Sequence, residues 1–129
     1  MIVVDACVAT EAVAGSGERG VEAMRRIAGE ASLAPQLLDL EVASALRGLV
    51  RRGALAAPVA HSAVRHLGML PVTRCDHRQL LPRCWQLRHN LTVYDAAYVA
   101  LAETIGASLL TCDQRLAHAA GIECEVELL

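Results

Sequence analysis

Thr92-Val93-Tyr94-Asp95-Ala96-Ala97-Tyr98-Val99-Ala100-Leu101-Ala102-Glu103 reads as the opening of a helix. Thr92 has the side chain of a helix N-cap, and Asp95 follows three residues later. That is a capping-box arrangement, with the acid in the positive first turn. Tyr94, Tyr98, Leu101 and Ile105 recur at helical spacing, which predicts one apolar face. Gly106 supplies the stop. On this stretch alone Asp95 is equally a helix-start acid and nothing more. The positions of the other acids decide between the two readings.

Working outward, short apolar runs alternate with helical patterns. Ile2-Val3-Val4 is a β-branched run ending in Asp5, and Ala107–Thr111 is a second buried strand ending near Asp113. Ala31–Ala34, Met69–Thr73 and Ile122–Leu129 are weaker extended segments, the last an alternating edge strand. Helices are expected over 6–14, 18–30, 36–52, 57–68, 76–89 and 113–120, with Ser16 capping the second and Pro82 disturbing the fifth. Val21, Met24 and Ile27 are expected inward on the second helix, and Leu37, Leu40, Ala43 and Leu46 on the third. Strands alternating with helices predict a parallel sheet covered by helices, within one domain spanning 1–129. Sites in such sheets form at the carboxyl ends of the strands.

Composition narrows the chemistry. Hydrophobic residues make up 54% of the chain while aromatics make up 2% and Phe is absent, so the core is built from Ala, Leu and Val. The net charge of −2 excludes a global basic field, so a polyanion must be held by a local patch or through metal ions. All 12 basic residues are Arg, which excludes a P-loop and Schiff-base chemistry. The five Cys show no CxxC spacing and read as reduced, buried thiols of a cytoplasmic protein rather than a zinc site. No signal peptide and no membrane span are expected.

Asp5 and Asp113 each close an apolar strand, and Asp95 starts a helix entering the same layer. Glu41 lies beside the apolar face of the long helix, whereas its neighbour Asp39 reads as more solvated. Four carboxylates converging in an apolar setting repel one another and raise their pKa values. Such a cluster makes sense around a divalent cation, and all-oxygen donors suit Mg²⁺ or Mn²⁺. Such an ion activates water and stabilises phosphoryl charge.

Ile2-Val3-Val4-Asp5-Ala6, Glu41-Val42-Ala43-Ser44-Ala45-Leu46, Tyr94-Asp95-Ala96-Ala97-Tyr98-Val99-Ala100-Leu101-Ala102 and Leu110-Thr111-Cys112-Asp113 occur in that order. In sequence and separation they resemble PIN domains, specifically the VapC-type toxins of bacterial toxin–antitoxin pairs. The Tyr94-Asp95-Ala96 and Thr111-x-Asp113 segments are the most specific. The resemblance implies an α/β/α fold with a five-stranded parallel sheet and a homodimer. It implies a metal-dependent endoribonuclease with Asp5, Glu41, Asp95 and Asp113 as its acids, cutting RNA to leave a 5′-phosphate and a 3′-hydroxyl. It also implies a cognate antitoxin whose tail blocks the site. Thr111 reads as orienting a ligand water or a carboxylate. The family often carries Ser where this chain has Cys7, a weaker hydrogen-bonding group that either tunes the site or is simply buried.

Other candidates weigh less. Arg47 and Arg51 are i,i+4 neighbours that either track an RNA backbone or form a solvated face. Trp85 could stack on a base, but a core role is the expectation. None of the five His forms an HExxH pair. A receiver domain needs a Lys, and a haloacid-dehalogenase phosphatase needs Asp-x-Asp where this chain has Asp5-Ala6-Cys7. The remaining rival is an RNA-binding regulator on the same fold without cleavage.

Overall fold

The computed structural model describes all 129 residues. Five strands, β1 (Ile2–Val4), β2 (Ser32–Pro35), β3 (Val72–Cys75), β4 (Ser108–Thr111) and β5 (Val126–Leu128), form one sheet in the order β3-β2-β1-β4-β5. Every pairing is parallel. Parallel neighbours need crossover connections, which the helices supply. These are α1 (Ala6–Ala14), α2 (Glu18–Gly29), α3 (Leu38–Arg51), α4 (Ala57–Leu67), α5 (Leu81–Gln86), α6 (Val93–Ile105) and α7 (Gln114–Ala117). β1 is buried along its whole length, as expected of a central parallel strand with both faces covered.

α6 packs on β1, β2 and β4 and carries α5 on its flank, while α1 packs against β4 and gathers α2, α3 and α4. The expected single apolar stripe on α6 is corrected. Residues Ala96 to Ala102 are buried without a break, so the middle of the helix is enclosed on all sides. Tyr98 is inside, but Tyr94 is 65% exposed. Ala at four of those seven positions lets neighbouring backbones approach closely. Thr92 caps α6 as expected, accepting from the Asp95 N–H at 3.1 Å, and Gly106 ends it at φ 65.

The predicted inner faces of two helices hold in part, with Leu46 and Ile27 buried as expected. α3 buries Leu38, Val42 and Leu46, leaving Leu40 77% exposed. α2 buries Gly20, Ala23 and Ile27, with Val21 and Met24 exposed. Gly17, not Ser16, takes the N-cap position of α2, with no side-chain bond. The helix expected over 76–89 breaks into a 3-10 turn (Arg78–Leu80) and α5, with Pro82 in the first turn of α5. Trp85 is not core: it is 63% exposed, and the Arg88 guanidinium stacks over its ring at 4.7 Å. All five cysteines are free thiols, but only Cys84 is fully buried. No helix is long and apolar enough to cross a membrane.

Candidate active site

β1 and β4 are neighbours in register, with Val4 opposite Leu110. The residues that follow, Asp5 and Thr111, therefore leave the sheet side by side. The Asp5 N–H extends the ladder to the Leu110 carbonyl at 3.0 Å. Asp5 is 8% exposed, and its Oδ2 accepts from the Thr111 hydroxyl at 2.5 Å and the Cys7 thiol at 3.1 Å. Burial holds the Asp5 carboxyl above its ordinary range, and the Asp95 charge adds to that against these hydrogen bonds.

Glu41 reaches the same region from α3. Its Oε2 accepts from the Tyr98 hydroxyl at 2.6 Å. Burial raises the Glu41 pKa, the Tyr98 bond opposes it, and the Asp5 and Asp95 charges raise it further. Asp39, the competing acid, is occupied elsewhere. It pairs with Arg74 at 2.8 Å, and that guanidinium also satisfies the Leu67, Leu70 and Val72 carbonyls.

Asp95 comes from the first turn of α6. Its Oδ2 accepts from the Thr92 hydroxyl at 2.8 Å, so the capping residue also orients the acid. Asp95 and Asp113 line one cleft with Thr92 and Arg115. Asp113 caps α7 by accepting from the Arg115 N–H at 2.8 Å, and its carboxylate is gripped by the Arg115 guanidinium at 2.7 Å. That hydrogen-bonded pairing holds Asp113 below the usual carboxylate range.

Asp5, Glu41 and Asp95 thus lie in one another's electrostatic field, and Asp113 faces Asp95 while bound to Arg115. No three acidic, His or Cys groups close on one point as a ready-made metal cage. Three of the four acids share a geometry. Asp5, Glu41 and Asp95 each have one oxygen held by side-chain donors, leaving Asp5 Oδ1, Glu41 Oε1 and Asp95 Oδ1 without one. Thr111 also accepts from the Asp113 N–H at 3.0 Å, linking the two strand-end acids. Arg47 and Arg51 are exposed on α3 in the same outward stripe as Leu40 and Ser44. Leu40, Ser44 and Tyr94 line a groove that reaches Glu41.

The donors Tyr98 and Arg115 escaped the sequence reading. Tyr98 was legible only as an apolar-face residue, although its place three after Asp95 puts it on the same side of the helix. Arg115 lies two residues after Asp113, a spacing that permits a local pair without requiring it.

The PIN domain family matches residues 2–122. Ribonuclease VapC1 of Mycobacterium tuberculosis is 42% identical over 128 residues, which cover 98% of this chain and 96% of that protein. Ribonuclease VapC9 of the same organism is 40% identical over 129 residues, covering 100% and 98%. Among solved structures, Mycobacterium tuberculosis VapC20, described as a sarcin-ricin loop cleaving toxin, superposes with a TM-score of 0.67 at 19% identity, covering 95% of this chain and 96% of that one. PAE2754 from Pyrobaculum aerophilum superposes with a TM-score of 0.62 at 25% identity, covering 91% and 84%. With a family match over nearly its whole length and relatives at this identity, the chain belongs to the PIN-domain family, among the VapC ribonucleases.

Proposed function

We propose that residues 1–129 act as one nuclease domain, a metal-dependent endoribonuclease that is the toxin of a type II toxin–antitoxin pair. Asp5, Glu41, Asp95 and Asp113 are its working acids. The observation that carries this reading is the shared geometry of Asp5, Glu41 and Asp95. Each is fixed through one oxygen, with the other left without a side-chain donor, at the carboxyl end of a parallel sheet.

The donor set fits Mg²⁺ or Mn²⁺. It is all oxygen, and burial and mutual charge already strain two of its members. Mg²⁺ characteristically takes one or two protein carboxylates together with waters and substrate phosphate oxygens, so an open set suits it better than a closed cage. When bound, such an ion lowers the pKa of water and offsets charge on a phosphoryl group. The chain's own residues orient the acids. Thr111 and Cys7 fix Asp5, Tyr98 fixes Glu41, Thr92 fixes Asp95, and Arg115 holds Asp113.

The substrate class is RNA, in keeping with the ribonucleases this chain resembles. Arg47 and Arg51 contribute local positive charge beside the Glu41 groove. The partner is a cognate antitoxin that places a basic residue against the acids, where a guanidinium pairs bidentately with a carboxylate. The chain works as a homodimer in the cytoplasm, a reducing setting that suits five free thiols.

The test is cleavage of a labelled RNA by the antitoxin-free protein with Mg²⁺ or Mn²⁺. Asp5→Asn and Asp95→Asn should each abolish cleavage while circular dichroism stays unchanged. A folded Asp95→Asn variant cutting at the wild-type rate would sink the assignment.

A further inference from the structure

Two thiols meet behind Asp5. Cys7 sits in the first turn of α1, and Cys112 follows the last residue of β4. Because β1 and β4 pair in register, the segments 5–7 and 111–113 emerge from adjacent strands. Cys7 Sγ accepts from the Cys112 N–H at 2.9 Å and lies 3.4 Å from Thr111 Oγ1. The Cys7 sulfur is thus in direct contact with the backbone of residue 112. Their surroundings differ. Cys7 faces inward and donates to Asp5 at 3.1 Å, whereas Cys112 lies beside the exposed Arg19 guanidinium.

We propose that Cys7 and Cys112 form a reversible disulfide under peroxide, which withdraws the Cys7 thiol from Asp5 and turns the acid site down. The proposal rests on the reading of Asp5 as a working acid. Hydrogen peroxide first oxidises Cys112, the thiol beside the Arg19 guanidinium: an S–O bond forms, the O–O bond breaks, and one water leaves. The Cys7 sulfur then attacks the Cys112 sulfur, the S–O bond breaks, and the Cys7 proton leaves with the hydroxyl as a second water. Two thiols are oxidised and one peroxide is reduced to two waters. The product sulfur at position 7 carries no proton, so it cannot donate to Asp5 Oδ2, and Thr111 is left as the only side-chain donor there. Cys112 is also bonded directly to Thr111 and Asp113, so movement of its backbone disturbs the second donor and a second acid together.

The experiment treats the purified chain with hydrogen peroxide. It then maps peptides by mass spectrometry without reductant and assays RNA cleavage before and after dithiothreitol. The expected map joins the Cys7 and Cys112 peptides with loss of two hydrogens. Cleavage should fall about tenfold, the scale of losing a partner that orients a metal-site ligand, and return with dithiothreitol. Cys112→Ala should cleave RNA and keep that activity in peroxide. The proposal is overturned if the Cys7–Cys112 peptide pair does not form, if it forms with cleavage unchanged, or if Cys112→Ala is inactivated as wild type is. The wild-type map decides the point even if Cys112→Ala does not fold. A reduced chain that forms the disulfide on oxidation yet never cleaves RNA refutes the nuclease reading instead, so the two failures are distinguishable.

Discussion

Replacing Tyr98 with Phe removes one oxygen atom from the interior and tests whether Glu41 is held as a charged group. Tyr98 is 1% exposed, and its ring packs in the core, so Phe keeps the apolar burial. What disappears is the 2.6 Å hydrogen bond to Glu41 Oε2. A hydrogen bond to a charged group contributes about 1.5–3 kcal/mol, so the variant should lose about 2 kcal/mol at neutral pH. For a chain of this length that corresponds to roughly 6–10 °C in Tm. The pH dependence carries the sign. Burial already raises the Glu41 pKa, and the Tyr98 bond opposes that rise, so removing it raises the pKa further. The folded variant then binds a proton at a pH where the unfolded chain does not. Its deficit is full where Glu41 is charged in both proteins, and shrinks as pH falls through the raised pKa toward the ordinary carboxylate value. Thermal melts of both proteins from neutral to mildly acidic pH measure this. A deficit that is absent, or equal at every pH, refutes the claim that this hydroxyl holds a carboxylate.

Three further outcomes are expected. Arg115→Ala should change Tm by less than about 3 °C, because its pairing with Asp113 is at the surface, with the Arg side chain 91% exposed; it should also enlarge the Tm gain in Mg²⁺ by freeing the Asp113 carboxylate, and an unchanged gain argues against Asp113 as a ligand. Gly20→Ala should destabilise by about 1–3 kcal/mol in urea unfolding, because a Cβ there would come within 2.7 Å of the Gly15 carbonyl oxygen. Arg83→Ala should cost about 3 kcal/mol at neutral pH, since it strands Glu103, whose side chain is 12% exposed. Burial pushes Glu103 up, but the Arg83 pair and the Glu123 N–H hold it below its ordinary value, so that stability is lost as pH falls through the depressed pKa and the gap between the two proteins should close in acid.

The sheet and the strand-end positions of Asp5 and Asp113 were legible because short apolar runs and their terminal acids are local patterns. The Thr92–Asp95 cap was legible for the same reason. Which way α3 and α2 face was not. In α3 the apolar residues Leu37, Leu38, Leu40, Val42, Ala43 and Leu46 fit two registers, and packing on α1 and α4 selects Leu38, Val42 and Leu46. The enclosed middle of α6 has no polar side from which to read an orientation. Tyr98 to Glu41, Arg74 to Asp39 and Cys7 to Cys112 join residues far apart in the chain, and no local period encodes such pairs. The candidate acids and their near neighbours Thr111, Cys7 and Thr92 could therefore be picked out from the sequence, but not the donors Tyr98 and Arg115.

Those donors explain how an acidic site survives folding. Crowded carboxylates destabilise a fold unless something offsets their charge or the groups take up protons. Here the acids are served one at a time, by a hydroxyl and a thiol at Asp5, by a phenol at Glu41 and by a hydroxyl at Asp95. Neutral donors stabilise a carboxylate without cancelling its charge, so each acid stays attractive to a cation. Asp113 is the exception, because its partner is a full positive charge that bonds to both oxygens. That charge is on an exposed side chain, and an exposed ion pair contributes only about 0–1 kcal/mol. Swinging Arg115 into solvent therefore costs little, and on the proposed metal-dependent reading Asp113 would exchange it for another cation while Asp5, Glu41 and Asp95 stay fixed. On that reading the three acids held by neutral donors supply the rigid part of the site, and the Asp113–Arg115 pair supplies the part that can open.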